Sequence, residues 1–278
     1  MDKEVKLVKK IKHLLKRAGI PRYLHRYGPK KYAFVTHALA LFIRQAGKLS
    51  YRRASKLLRE LGFMVPTYSA LCKMNKRAAS ILVRLFEQTS SFSSVVVASL
   101  DATTIARSNP SWHYIKRIDR KKPVARPLKL SMAVDTRRKK IIALRLRAKP
   151  RHDTKDVQYL LQRMPQPKIL VADKGYDAEY VHEYCFKQGI TTMIPSKKTT
   201  KKGFYRKKQR KRWRLRTYHR REISEALFSA TKQSYGSSVS SRSIRTQRSD
   251  IYCRAILQNL SLAKPEIFNS ASLTDNFK

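Results

Sequence analysis

The pattern of apolar and polar positions divides the chain into a helical part and a mixed part. Up to about residue 92, apolar residues recur at helical spacing, first between Val5 and Leu15 and again between Phe34 and Ile43. Two more helices are predicted at 50–61 and from about 67 to 85, separated by a short turn that contains Gly62. We therefore predict an all-helical N-terminal domain over residues 1–92.

After a small polar linker at 90–94 the pattern changes to short strands. A β-branched run at 95–100 ends at Asp101, and two further strands are predicted at 127–134 and 141–146. The remaining predicted elements alternate between helix and strand, at 153–164, 168–172, 178–188, 190–194 and 218–232, with a last helix after Asp250. The linker between the second and third of these strands is too short for a crossover helix. This order is typical of an α/β protein with a ribonuclease-H-like mixed five-stranded sheet and flanking helices, here over residues 93–262, with a tail at 263–278.

Charge narrows the choice of partner. The chain has 63 Lys and Arg against 18 Asp and Glu, a formal charge of +45, which favours a polyanion such as DNA. The chain has no run of about 18 apolar residues and no apolar stretch of a signal peptide near its start, so we expect no membrane partner and a cytoplasmic, nucleoid-associated prokaryotic protein. Three scattered cysteines indicate buried thiols rather than disulfides or a zinc site. No nucleotide-binding glycine motif is present.

Two segments are candidates for DNA binding. The helices at 50–61 and 67–85 resemble a helix-turn-helix, and a plain helical bundle with a basic surface is the alternative. Its second helix would present Tyr68, Ser69, Lys73, Asn75 and Lys76. The second segment is a basic insertion at 197–217, which we expect to be disordered alone and to settle on a polyanion. Trp112 and Trp213 could stack on a base of DNA, and a packing role is the alternative for both.

Three carboxylates are candidates for a metal site. Asp101 and Asp173 end strands that this topology places side by side, so both are expected at the same end of the sheet. Mg²⁺ and Mn²⁺ prefer such oxygen ligands. On the helix from 218, Glu225 is expected to face this site, and Glu222 lies roughly 60° away around the helix. Each acid also has an alternative explanation. Asp173 could belong to a turn, Asp101 could cap a helix, and Glu225 could form an ion pair with Arg221.

The same helix is expected to place four side chains in one stripe, Tyr218, Arg221, Glu225 and Lys232. Its opposite side would seat it on the sheet through Ile223, Ala226, Leu227 and Ala230. Four other acids are better explained by caps and turns, namely Asp135, Asp153, Asp156 and Asp177. His113 and His152 are expected to be structural or close to phosphates.

These residues resemble the DDE transposases of bacterial and archaeal insertion sequences. The spacing from Tyr218 to Lys232 matches their Tyr-x2-Arg-x3-Glu-x6-Lys signature. The segments 171–177 and 100–103 look like the motifs around their second and first acids, although Ala102 stands where Gly or Ser is commoner, and His152 with Asp153 is similar to a further pair.

The resemblance implies metal-dependent cleavage at transposon ends, followed by attack of the freed 3′ hydroxyl on target DNA. It implies Asp101, Asp173 and Glu225 as catalytic metal ligands for two Mg²⁺ or Mn²⁺ ions. Tyr218, Arg221 and Lys232 would contact the DNA ends, and a homodimer would hold two terminal inverted repeats. The alternatives are a non-catalytic or domesticated DNA-binding protein and a ribonuclease-H-like nuclease without strand transfer.

Overall fold

A mixed β-sheet forms the centre of the molecule. The computed structural model describes residues 3–25, 27, 30–107, 126–149, 151–196 and 202–261. Five strands lie in the order β3-β2-β1-β4-β5. They are β1 (Val95–Arg107), β2 (Leu128–Asp135), β3 (Lys140–Arg147), β4 (Pro167–Ala172) and β5 (Thr191–Met193). β2 is antiparallel to β1 and β3, whereas β4 is parallel to β1 and β5 to β4. This is the predicted ribonuclease-H-like arrangement.

The first strand is longer than predicted and pairs with a sixth strand that the sequence did not predict. We expected β1 to end at Asp101, but it continues to Arg107 because β2 stays paired with it as far as Ile105↔Leu128. Its far end pairs with a two-residue strand, β6 (Ser238–Val239). The pairing with β4, by contrast, stops at Leu100↔Ala172. Asp101 therefore lies just beyond the point where the two parallel strands separate.

Five helices precede the sheet, and they are α1 (Lys3–Arg17), α2 (Phe34–Ala46), α3 (Tyr51–Glu60), α4 (Tyr68–Arg77) and α5 (Ala79–Thr89). Ser50 and Thr67 cap α3 and α4, since their hydroxyls accept the backbone N–H of Arg53 and Ala70. The predicted single helix 67–85 is instead two helices that meet at Ala78. α3 and α4 pack together across the turn, but Asn75 is fully buried and is therefore not one of the DNA-facing residues we predicted.

Six helices follow the first three strands, and they are α6 (Thr154–Leu161), α7 (Glu179–Lys187), α8 (Phe204–Arg210), α9 (Leu215–Tyr218), α10 (Glu222–Tyr235) and α11 (Ile244–Ser261). The predicted last helix is present, but it begins at Ile244 rather than after Asp250, which is a buried residue within α11. The predicted helix at 218–232 is interrupted by a 3₁₀ turn at His219–Arg221. From residue 202 onward the basic insertion is also largely helical rather than disordered.

The two faces of the sheet pack against different helices. Side chains of β2 alternate, so that Leu130 and Met132 face one side and Ala133 the other. The first side shares one apolar core with α1, α2, α5, α10 and α11, and the second packs on α6 and α7. The N-terminal helices thus contribute to the same core as the sheet, and the domain boundaries remain a prediction.

Two of the three cysteines are buried, as the sequence predicted. These are Cys185 and Cys253, whereas Cys72 is exposed on α4.

Within the described ranges, no helix combines the length and the apolar character needed to cross a membrane.

Candidate active site

The parallel pair β1 and β4 brings two of the predicted carboxylates to the same end of the sheet. Asp101 and Asp173 each follow the last paired residues of these strands, Leu100 and Ala172. The Asp101 Oδ1 accepts the backbone N–H of Ala102 at 2.8 Å, and the Asp173 Oδ1 accepts that of Lys174 at 2.6 Å. Asp101 is half-buried and Asp173 is exposed. Asp101 and Asp173 therefore lie at the same end of the parallel pair, as the strand order predicted.

A buried serine pair attaches α10 beside Asp101. The Ser99 hydroxyl donates to the Ser224 hydroxyl at 2.9 Å, and the latter donates to the carbonyl of Arg221 at 2.7 Å. Ser99 lies two residues before Asp101 and so on the same face of β1. Glu225 is the next residue after Ser224. This contact fixes the start of α10 against the strand that bears Asp101, which explains why Glu225 comes to the site.

The buried face of α10 differs from the predicted one. Leu227 is buried as expected, but the other buried residues are Ser224 and Phe228, and Ala226 is exposed. The 3₁₀ turn before α10 breaks the helical period, so counting at 100° per residue from Tyr218 misplaces the seat of the helix. Glu222 lies further into solvent, 3.5 Å from the His219 ring.

The carboxyl of Asp101 interacts electrostatically with the other two predicted acids. Burial raises the pKa of the Asp101 carboxyl above its usual value, and the carboxylates of Glu225 and Asp173 raise it further. The Ala102 N–H and the Arg221 guanidinium oppose the change without cancelling it. Asp101 therefore lies in a locally negative field, even though the whole chain carries a large positive charge.

Arg221 forms the ion pair with Glu225 that the sequence suggested. The two side chains are one helical turn apart, and the pair is partly exposed. Burial lowers the pKa of Arg221, but Glu225, Tyr218 and Asp173 raise it by more, so the guanidinium is firmly charged. Arg221 also lies 6.0 Å from the centre of the Tyr218 ring. It thus contacts two other members of the predicted stripe.

Lys232 reaches β1 on the other side of Asp101. Its ammonium donates to the Thr103 hydroxyl at 2.6 Å. Thr103 lies two residues after Asp101 and therefore on the same face of the strand. The structure thus brings Lys232 into the neighbourhood of the carboxylates, as the shared stripe predicted.

The tryptophan and the lysine that we predicted to bind DNA lie in different places. Trp213 is half-buried, packs on an apolar cluster with Val97 and Val171, and stacks on Tyr218 with ring centres 5.0 Å apart. Its packing role is visible in these contacts. Lys73 is exposed on α4, which packs against α2, α3, α5 and α11. Trp112 and His113 lie outside the described residues.

The carboxylates do not yet converge as a complete ligand set. Within the described ranges, no three His, Cys, Asp or Glu side chains are close enough together to hold a metal ion. Each acid is turned to another partner, since Asp101 and Asp173 accept backbone N–H groups and Glu225 pairs with Arg221. The donor set itself, three oxygen ligands in a negative field, fits Mg²⁺ or Mn²⁺. Rotation of these side chains is needed to bring the oxygens together.

A second group of polar side chains near Asp173 was not predicted. A Cβ atom added to Gly175 would lie 3.6 Å from Asp153 Oδ2 and 3.9 Å from Asp173 Oδ2, so both carboxylates approach this glycine. Asp153 does not cap α6 with its side chain, as we had suggested, but pairs with Lys129. Tyr176 is fully buried nearby. The resemblance of His152 and Asp153 to a family pair was the only sequence signal for this group.

The other acids that we assigned to caps and turns have mixed outcomes. Asp135 does accept backbone N–H groups in the turn that follows it. Asp156, however, is a buried partner of Arg145 and Arg147, and Asp177 is buried against His182 and Arg206. The cap explanation failed for these two because each is paired with a cation from another element, Asp156 with two arginines of β3 and Asp177 with Arg206 of α8. The His152 Nδ1 contacts the Thr154 hydroxyl at 2.8 Å, a structural contact as expected.

Fold and site together define a ribonuclease-H-like protein with acidic residues at the point where its parallel strands β1 and β4 separate. The sequence of residues 94–260 matches the family model described as the transposase DDE domain. The match covers well over half of the chain, and the protein belongs to this family.

Transposase complexes are among the solved structures that match this chain. The piggyBac transposase in its synaptic complex with hairpin DNA has a TM-score of 0.50 and 9% identity, over 92% of this chain and 72% of that one. The Mos1 strand transfer complex has a TM-score of 0.29 and 14% identity, over 91% of this chain and 84% of that one. No curated protein sequence matches the chain.

Proposed function

We propose that this protein is the transposase of a bacterial or archaeal insertion sequence. It would cut DNA at the element's ends and join the freed 3′ hydroxyl to target DNA. The observation that carries the proposal is the position of Asp101 and Asp173 where β1 and β4 separate, with Glu225 of α10 close enough to raise the pKa of Asp101, on a chain of the transposase DDE domain family. Terminal inverted repeats and target DNA are the proposed partners, held by a homodimer.

The three carboxylates would hold two divalent ions, which stabilise charge on the attacking and leaving oxygens of an in-line displacement. Ligation of Glu225 requires it to leave Arg221, whose guanidinium is then available to a phosphate of the bound DNA end. Tyr218, stacked on Trp213, and Lys232, held at Thr103, are placed to donate to neighbouring phosphates. The ion pair between Arg221 and Glu225 would thus be the DNA-free arrangement of the site.

The test is cleavage of a duplex that carries the element's terminal repeat. Wild-type protein with Mg²⁺ should nick the duplex at the end of the repeat and, with added target DNA, yield joined products. Asp173→Asn should reduce both reactions by about a thousandfold or more, because the remaining ligands cannot position the ions. Undiminished cleavage by this variant would disprove the proposed active site.

Glu222 provides a matched control for Glu225 on the same helix. Glu225→Gln should be as damaging as Asp173→Asn, whereas Glu222→Gln, which alters an exposed side chain beside His219, should keep most of the activity. The reverse result would mean that α10 presents the other acid to the ions. DNA binding measured in EDTA should persist in both variants, which separates loss of chemistry from loss of folding.

A non-catalytic DNA-binding protein is the second candidate, and one observation favours it. The three carboxylates do not converge as they stand. This candidate predicts strong, salt-dependent binding and no metal-dependent cleavage at any end sequence. A nuclease without joining activity would produce the nick but no strand-transfer product in the same assay.

A further inference from the structure

A cleft lies along the free edge of the sheet, two strands away from Asp101. Its volume is about 450 Å³, and it is lined by β3, α5, α6 and α11. Asp101 pairs with Met132, and Met132 pairs with Leu144, which lines the cleft. At about 5 Å per strand, the cleft begins roughly 10 Å across the sheet from the candidate active site. It is therefore a separate feature.

Four arginines define the chemistry of the cleft, and they are Arg145, Arg147, Arg163 and Arg248. Arg145 and Arg147 share a single buried carboxylate, Asp156, at 3.2 and 2.6 Å. Asp156 does not line the cleft itself, and the acid that does is Glu87, which is exposed. The four arginines therefore outnumber the acids, even when the buried Asp156 is counted with Glu87.

The positive charges are held close together rather than dispersed. The guanidinium groups of Arg145 and Arg163 lie 4.0 and 3.6 Å from the centre of the same ring, that of Tyr159. Partial burial lowers the pKa of Arg145, and the neighbouring Arg147 and Arg163 lower it further. Holding like charges together costs free energy, and an anion bound between them would offset that cost. The aromatic ring and the fixed guanidinium planes preorganise such a site.

The backbone of β3 adds donors to the same cleft. β3 is the outer strand of the described sheet, and at Ile141 its free edge is occupied by the side-chain amide of Asn259, which bonds both the N–H and the carbonyl. Beyond that point, residues 143–147 line the cleft. Along an edge strand, alternate N–H groups point outward and can donate to an anion.

We propose that this cleft binds phosphates of a DNA segment other than the one cut at the carboxylates. Arginine forks match phosphate oxygens, and four arginines line this cleft. An acidic peptide pairing with the β3 edge would use the same donors, but the excess of arginine and the charge of +45 favour the more highly charged nucleic acid. The identity of the DNA rests on the proposed function.

The test uses exposed arginines whose loss leaves no buried acid unpaired. Full-length protein with Arg163→Ala and Arg248→Ala is titrated with a fluorescent duplex in EDTA at several salt concentrations. Loss of one or two phosphate contacts should reduce the slope of log K against log salt by about 0.9 each. A matched double variant, Arg17→Ala with Arg137→Ala, removes the same charge at exposed positions elsewhere and should change the slope less. Equal slopes for both variants would refute the proposal.

Further arms identify the source of the anion. Binding of inorganic phosphate that is lost in the cleft variant, together with an unchanged DNA slope, would mean a free-phosphate site and would overturn the assignment to DNA. If the cleft variant lost binding of an extended polyglutamate peptide but kept the wild-type salt slope for the duplex, the assignment to DNA would also be overturned. Absence of cleavage by the wild-type protein in the separate assay with Mg²⁺ would refute the proposed function. It would not affect this titration, because the titration measures DNA binding without metal.

Discussion

Removal of the Asp250 carboxylate should destabilise the whole fold, because this side chain connects the N-terminal helices to α11. Asp250 is fully buried and accepts hydrogen bonds from Arg44 at 2.8 Å, Asn75 at 3.0 Å and Ser241 at 2.6 Å. The donors lie on α2, on α4 and in the segment after β6. The Arg44 guanidinium is itself buried and lies 3.9 Å from the centre of the Tyr51 ring. Asp250→Ala would leave that guanidinium without its counter-charge.

The expected size of the effect follows from this burial. Breaking a buried ion pair by removing one partner costs about 3–5 kcal/mol. Arg44 keeps a hydrogen bond to the Ser240 hydroxyl at 2.9 Å, which favours the lower part of that range. For a protein of this size each kcal/mol lowers Tm by about 2–4 °C, so Asp250→Ala should lower Tm by roughly 6–20 °C.

Thermal denaturation followed by far-UV circular dichroism measures the change, with Glu60→Ala as the control. Glu60 also pairs with a cation, Lys56 at 3.7 Å, but both side chains are well exposed. Exposed pairs of this kind contribute about 0.5 kcal/mol or less, so the control should leave Tm nearly unchanged. Comparable small effects of the two substitutions would show that the Asp250 network is accessible to water and would refute the reasoning.

Three further results are expected. Burial and two neighbouring carboxylates raise the pKa of Asp101 in the folded protein, so ionisation of this carboxyl opposes folding once the pH exceeds its pKa in the unfolded chain. Asp101→Asn should therefore stabilise the metal-free protein in urea denaturation at pH 7 but not at pH 3. Tyr176→Phe should leave stability unchanged or raise it by about 1 kcal/mol, since among the described residues the buried hydroxyl has no hydrogen-bond partner, and a clear loss would reveal one. A thiol reagent should label Cys72 alone in the native protein and all three cysteines in urea, because burial raises the pKa of Cys185 to about 12 and that of Cys253 as well.

The strand order could be predicted only in part from linker lengths. The linker between β2 and β3, residues 136–139, is too short for a crossover helix, whereas residues 108–127 between β1 and β2 are enough for either kind of connection. The helix–strand alternation that follows is the part of the pattern that agrees with the parallel strands β4 and β5. β6 could not be predicted, since a two-residue strand has no periodicity to detect. The ordered part of the basic insertion was missed for a different reason: acids from α7 and the segment before it bind it, through Tyr205 N–H to Glu179 and Arg206 to Asp177.

The helix α10 shows which contacts can be predicted from residue spacing within one helix and which cannot. Separation by one helical turn was enough to predict the pair of Arg221 with Glu225 and to leave Glu222 further out. The buried face was predicted only in part, because the 3₁₀ turn before the helix and the contact of Ser99 with Ser224 depend on packing between segments far apart in sequence. A serine between apolar residues of a buried strand was the available signal for that contact.

The acids of this chain fall into two groups that differ in their surroundings. Those that stabilise the fold are fully buried against arginine, as Asp250, Asp156 and Asp177 are. At the candidate active site, in contrast, Asp173 is exposed and its described hydrogen bond comes from a backbone N–H, and Asp101 is half-buried with a raised pKa. Burial is the largest cause of that raised pKa, and Glu225 and Asp173 add to it although Arg221 lies close by. Carboxylates grouped in this way attract divalent cations, and the large positive charge of the chain attracts DNA, so the two partners are served by different parts of one charge distribution.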